Sequence, residues 1–142
     1  MKTIRFFLTA IILSSLIGCS SSDDDGPSGP QVSSNLYGEW TLVFKNVNGQ
    51  LQGDLSCEER IDYKFNSDKT YSKTRFSTND QNNCVEAISF TGTWEIITKQ
   101  SIKLTPNISS VDAETIEFEL INSDETLQIF RNTTTTEIYQ RP

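Results

Sequence analysis

From Gly38 to the end of the chain, apolar side chains recur at every second position, and this period limits the fold more than any other feature. Trp40, Leu42 and Phe44 share one face of the first run. Ile61, Tyr63 and Phe65 alternate with Asp62, Lys64 and Asn66, and Ile88, Phe90, Trp94 and Ile96 alternate with Ser89, Thr91, Thr93 and Glu95. The rhythm continues through Ile102 and Leu104, then Ile116, Phe118 and Leu120, then Leu127 and Ile129. Strict alternation marks strands with one buried and one wet face, whereas a helix would show a stripe of period 3.6. The spacing predicts eight strands over about 38–47, 57–66, 69–77, 86–98, 101–105, 113–121, 125–131 and 134–141.

Turn chemistry separates these runs. Asn48-Gly49 follows the first, Asn66-Ser67-Asp68-Lys69 sits between the second and third, and Asn122-Ser123-Asp124-Glu125 repeats that composition before the seventh. Asn, Asp and Gly tolerate the positive φ of tight turns. Lys99-Gln100 is short enough for a hairpin, although neither residue favours positive φ. Short turns between consecutive strands imply an antiparallel meander. An all-β barrel would close its exposed edges, and a sandwich is the competing closure.

The first residues have a different character. Lys2 and Arg5 precede an apolar run, Phe6 to Ile17, of 12 residues. That is too short for a helix spanning a bilayer, which takes roughly 20 residues, and suits a secretory leader. Leu16-Ile17-Gly18-Cys19 resembles the lipobox of bacterial lipoproteins. The resemblance implies cleavage before Cys19, a diacylglyceryl thioether on its sulfur and an acyl chain such as palmitate on its new amino group. Two or more chains anchor a protein stably where one does not. Residues 1–18 are thus expected to be the signal peptide and 19–34 a lipidated, disordered linker rich in Ser, Asp, Gly and Pro. Ser20 and the Asp23-Asp24-Asp25 run resemble sorting signals of outer-membrane lipoproteins, which implies the periplasmic face or the cell surface.

Loss of the leader would remove Lys2 and Arg5 from the 12 basic residues and none of the 19 acidic ones, leaving a net charge of −9. Nucleic-acid binding needs a basic surface, so no such partner is expected. Histidine is absent. This removes Ser-His-Asp and Cys-His catalysis and every His-containing metal site. Glu58 and Glu59 are adjacent and would face opposite sides of a strand, and Glu117 and Glu119 lie on a wet face. No enzyme, cofactor or metal is expected, and Asp23-Asp24-Asp25 lacks the spacing of a Ca²⁺ loop. In an oxidising compartment, Cys57 and Cys84 read as a disulfide closing a loop of about 28 residues, which contributes roughly 3 kcal/mol in the chain-entropy view. A free thiol nucleophile is the alternative, with neither a His nor an electropositive setting to activate it.

Leu36-Tyr37-Gly38-Glu39-Trp40-Thr41-Leu42 is a Gly-x-Trp opening, Phe65 to Tyr71 and Gly92-Thr93-Trp94 follow, and the chain closes with Glu137-Ile138-Tyr139-Gln140-Arg141. This set resembles the small lipocalin-like lipoproteins of Gram-negative bacteria. The resemblance implies an eight-stranded antiparallel up-and-down barrel over residues 35–142. It also implies structural roles for Gly38, Trp40, Trp94 and Arg141. Trp40 would stand near the closed end under an Arg of the last strand, with Arg141 the nearest match and Arg131 the other.

Two functions fit such a barrel. In one, Phe44, Tyr63, Phe65, Phe90, Phe118 and Ile129 line a cavity for a small hydrophobic ligand. In the other, the same side chains fill the core, and the protein is an envelope interaction protein or inhibitor of unknown partner, acting through loops 48–56, 78–85 or 106–112. The inward residues are large and few are polar, which favours a filled core.

Overall fold

The computed structural model describes residues 34–142. The leader, Cys19, the Asp23-Asp24-Asp25 run and the linker up to residue 33 lie outside the described residues. The chain enters through a 3-10 turn, Ser34–Leu36, and continues as nine strands: β1 (Gly38–Val47), β2 (Gln50–Gln52), β3 (Ile61–Phe65), β4 (Thr70–Thr78), β5 (Cys84–Thr98), β6 (Ser101–Pro106), β7 (Glu114–Ile121), β8 (Thr126–Phe130) and β9 (Thr135–Gln140). All pairings are antiparallel, and all but β1 with β3 and β1 with β9 join strands that are neighbours in sequence. The β1–β9 pairing closes an eight-stranded barrel to which β2 is appended. The closure is therefore a barrel and not a sandwich.

Two details differ from the pattern read in the sequence. Residues 57–59 are a 3-10 turn rather than the start of a strand. Glu59 folds back on the Ser56 amide (3.0 Å) and hydroxyl (3.1 Å), so the second long strand starts only at Ile61. Glu58 and Glu59 accordingly do not sit on opposite faces of a sheet. The segment after Asn48-Gly49 is not a loop throughout. Both turn residues take positive φ, 53° and 82°, and return the chain as the three-residue strand β2.

The remaining turns follow their chemistry. Asn122, Ser123 and Asp124 all adopt positive φ between β7 and β8. Lys99-Gln100 closes β5 onto β6 without positive φ because a bulge at Ile97 re-aims the strand first. The Gln100 amide then donates to Thr98 Oγ1 (3.2 Å), and the Thr98 and Ser101 hydroxyls bond at 2.8 Å.

Fourteen apolar side chains form one buried core inside the barrel, among them Trp40, Tyr63, Phe65, Trp94, Ile102, Leu104, Leu127, Ile129 and Tyr139. Each contributes about 1.5–3 kcal/mol on burial. Their rings interlock: Tyr63 stacks on Phe65 with centroids 5.6 Å apart, Tyr139 meets Tyr63 edge-on at 5.6 Å, and Phe65 meets Trp94 at 6.0 Å. Gly92 sits where a Cβ would strike the Tyr71 ring at 2.7 Å and the Thr105 carbonyl, so only glycine lets that ring cross the strand.

One end of the barrel is shut. The guanidinium of Arg141 lies 4.2 Å above the Trp40 ring and donates to the carbonyls of Tyr37 (3.0 Å) and Asn35. Trp40 Nε1–H donates to the Leu36 carbonyl (2.9 Å), which ties the entry turn across the opening. Gly38 takes φ of 120°, and a Cβ there would meet Arg141 at 2.5 Å. Arg141, not Arg131, is thus the residue covering the tryptophan. Trp94 donates to the Thr70 carbonyl (3.1 Å), with Lys69 Nζ 3.9 Å from its ring.

At the opposite end, β4 and β5 run on past their neighbours as a projecting hairpin. A disulfide joins Cys57, in the second 3-10 turn, to Cys84, the first residue of β5, with Cα atoms 5.5 Å apart. Glu58 reinforces the staple by accepting from the Thr78 amide (3.1 Å) and hydroxyl (2.8 Å). Replacing both cysteines with serine is expected to lower the unfolding free energy by about 3 kcal/mol, read from urea denaturation followed by tryptophan fluorescence.

Candidate functional site

The open end is built by the mouth-side ends of five strands, where the inward positions change from apolar to charged. Lys73 continues the inward face of Tyr71, Glu114 that of Ile116, Arg131 that of Ile129, and Glu137 that of Tyr139, each two residues along in phase. On β1 a bulge between Leu42 and Phe44 shifts the phase, so Lys45 rather than Phe44 stands opposite Glu137. Phe44, expected to point inward, pairs instead with Ile138 on the outer face and packs against Gly53.

Lys73, Glu114, Arg131 and Glu137 form one bonded layer across the barrel, while Lys45 pairs with Glu59 (3.6 Å). Arg131 Nε donates to Glu137 (2.6 Å), and its other nitrogens reach the Tyr63 hydroxyl (2.9 Å) and Glu114 (3.5 Å). Lys73 donates to the second Glu114 oxygen (2.8 Å), and the Tyr139 hydroxyl donates to Glu137 (2.8 Å). Glu137 is only 7% exposed, yet its Oε2 accepts both from the Arg131 cation and from the Tyr139 hydroxyl, and such pairing is the condition for burying a charge. Burial works against the charge of Arg131, but Tyr63, Glu137 and Tyr139 outweigh it and hold its pKa above the ordinary range. Burial, with Tyr63 and Glu137 beside it, raises the Tyr139 phenol well above 10. Burial, then the charge of Glu114, pushes Tyr71 up to about 12.

Against the Lys73–Glu114 side of this layer lies a pocket of about 170 Å³ lined by Tyr71, Lys73, Arg75, Phe90, Pro106, Val111, Asp112 and Glu114. Its outer wall is the projecting hairpin. A bulge at Ala87 re-phases β5, so Val85 pairs with Ser77 and Ile88 with Arg75, both on the face that carries Phe90. Val85 (38% exposed), Ile88 (45%) and Val111 (37%) therefore extend the pocket as an apolar strip. The side chains of Arg75 and Asp112 line it without a hydrogen bond or ion pair to any described residue.

Of the six side chains expected to line a cavity, Tyr63, Phe65, Phe118 and Ile129 are buried in the packed core, Phe44 faces outward, and Phe90 lines the mouth pocket. The charged layer is hidden in the sequence because Lys73, Glu114 and Glu137 look like wet-face residues, although each stands in phase with Tyr71, Ile116 or Tyr139. Of the three loops considered as contacts, 48–56 is partly strand β2. In loop 78–85 the carbonyl of the Asn79 side chain holds the turn by accepting from the amides of Gln81 (3.0 Å) and Asn83 (2.9 Å).

A closed up-and-down barrel, clasped at one end by an Arg over a Trp and open at the other, has the architecture of a lipocalin-type barrel. The model of the lipocalin-like domain matches residues 36–140, and the chain belongs to that family. It is similar in fold to a lipocalin-like protein from Bacteroides uniformis, at 16% identity and a TM-score of 0.54, over 76% of this chain and 99% of the other. It is likewise similar to an uncharacterized protein from Bacteroides eggerthii, at 15% identity and a TM-score of 0.51, over 75% and 98% of the two chains. No curated protein matches the chain in sequence.

The phenols make the interior testable by titration. A phenol whose pKa is raised in the folded state holds its proton more tightly there than in the unfolded chain. The stability it contributes is complete below pH 10 and is lost as pH rises from 10 through about 12. Tyr71 and Tyr139 should ionise only above pH 10 in an absorbance titration at constant ionic strength, and Tyr71→Phe should flatten the fall of stability across that window.

Proposed function

We propose that this chain is a lipid-anchored, non-catalytic envelope protein that takes a small amphipathic molecule at the barrel mouth. The observation that carries the reading is the contrast along the barrel axis. The deep interior is filled by interlocking rings, the middle holds a satisfied charged layer, and the mouth presents an uncovered apolar strip. A pocket of about 170 Å³ is smaller than the roughly 300 Å³ typical of small-molecule sites. Only part of a ligand would sit inside it. The apolar remainder would lie along Val85, Ile88 and Val111, and a polar end would meet Arg75, Asp112 or the Lys73–Glu114 pair.

The lipobox-like Leu16-Ile17-Gly18-Cys19 supports anchoring, and the fold is compatible with it. Ser34 enters beside the closed end, where Arg141 meets Asn35 and Tyr37. A tether attached there leaves the mouth unobstructed on the far side. Outer-membrane placement, at the periplasmic face or the cell surface, is part of this reading and rests on the residues after Cys19.

Solvent extraction of the purified protein followed by mass spectrometry should yield one defined amphipathic molecule at close to one per chain. Phe90→Asp should weaken binding of the fluorescent probe anilinonaphthalene sulfonate by about tenfold or more, the loss expected for removing one buried aromatic contact. An empty extract together with unchanged probe binding would leave the filled-barrel interaction protein as the better account. Separately, Cys19→Ala should move the protein from the membrane to the soluble fraction, and its retention in membranes would refute the anchor.

A further inference from the structure

Barrel closure pairs nearly every strand on both sides, but the projecting hairpin leaves one edge uncovered. Gly92 is the first residue of β5 that pairs with β6, and Asn107 donates to the Thr91 carbonyl (2.8 Å) just before it. From Cys84 to Phe90, β5 pairs with β4 alone among the described residues. Residues 84–89 are all exposed, so nothing covers either face. Alternate residues of a strand direct their amide and carbonyl to the same side. Ser89 therefore points its backbone groups the way Thr91 does, away from β4. The outer edge of β4 is not in this condition, because Glu58 and the disulfide hold the 3-10 turn against Thr78. The other short edge, β2, spans three residues.

Proteins usually guard such edges with lysine, proline or inward-pointing charge. Between Cys84 and Thr91 there is none of these, and the only charge is Glu86. The two faces differ in chemistry. Val85, Ile88 and Phe90 share the mouth side with Pro106 and Val111, while Glu86 pairs with Phe76 and Ser89 with Thr74 on the other.

We propose that the Cys84–Phe90 edge is a docking strand for an extended segment of another protein, apolar at the positions over Val85, Ile88 and Phe90 and basic at those beside Glu86. Backbone pairing supplies the attachment, and the alternating side chains supply the selection. Charge decides between this occupant and a second copy. The chain carries a net charge of −7, so two copies repel, whereas a basic segment is drawn to it.

The test uses the full chain in detergent and a fluorescein-labelled peptide of about eight residues alternating valine and lysine, with fluorescence anisotropy as readout. Saturable binding is expected. Glu86→Lys, and Ser89→Pro, which removes the outward amide, should each weaken it by about tenfold or more. A valine–glutamate peptide should bind more weakly by a similar factor, and the Ser89 amide should exchange more slowly in the complex. Anilinonaphthalene sulfonate binding should be unchanged in Ser89→Pro, which separates this edge from the small-molecule reading. If Ser89→Pro does not fold, the exposed Glu86→Lys variant decides. The proposal is overturned by absence of saturable binding, by equal binding of the acidic peptide, or by variants that bind as the parent does. A dimer of the chain alone that Glu86→Lys or Ser89→Pro dissociates would also overturn it by assigning the edge to a second copy.

Discussion

A ribbon of strands that is apolar on one face has two liabilities in water: the face itself and the unpaired amides along its first and last strands. The pairing of β1 with β9 removes both at once. It runs from Thr41–Gln140 to Val47–Thr135, almost the length of both strands, while the other edge of β1 is divided between β3 and β2. β1 is thus the seam of the barrel. The bulge between Leu42 and Phe44 lies within it and lets the strand keep its pairing while it changes which side chains face the interior. Without that seam the rings of Trp40, Tyr63 and Tyr139 would have no common interior to fill.

The two ends of the barrel use cations differently. At the closed end Arg141 lies flat on Trp40 and spends its donors on backbone carbonyls, so it works as a lid that also ties the chain's entry to its exit. At the mouth Arg131 is sunk among Glu137, Glu114 and Tyr63, where each of its three nitrogens meets an acceptor. Removing one member of such a group strands the others in a dry place, whereas a surface pair such as Lys64–Glu39 adds little. The charged layer therefore fixes the orientation of the strand ends that frame the pocket.

Much of this was legible in the sequence. The period-two runs located the long strands, and Asn48-Gly49 and Asn122 to Glu125 marked turns that the backbone confirms with positive φ. The Cys57–Cys84 bridge and the Arg141–Trp40 contact were also expected. What escaped depended on phase and on short elements. Gln50-Leu51-Gln52 is too brief to show a period. Phe44 faces outward against its hydropathy phase because one extra residue, invisible in a hydropathy pattern, intervenes at Val43. Val85 and Ile88 are three residues apart and only the bulge at Ala87 brings them to one face. Charged residues at inward positions read as wet-face residues unless each is followed in step with its buried neighbour two places away.

The staple between Cys57 and Cys84 adds a matter of timing. The arm that walls the pocket is fastened to the barrel body at its tip by this one covalent bond and by the Glu58 carboxylate. A chain whose thiols are still reduced can close its seam and bury its rings, since neither cysteine belongs to the core. The tip of its arm, however, would then be held by the Glu58 carboxylate alone. Closing the barrel and fastening its arm are therefore separate steps, and oxidation of the two thiols completes the second.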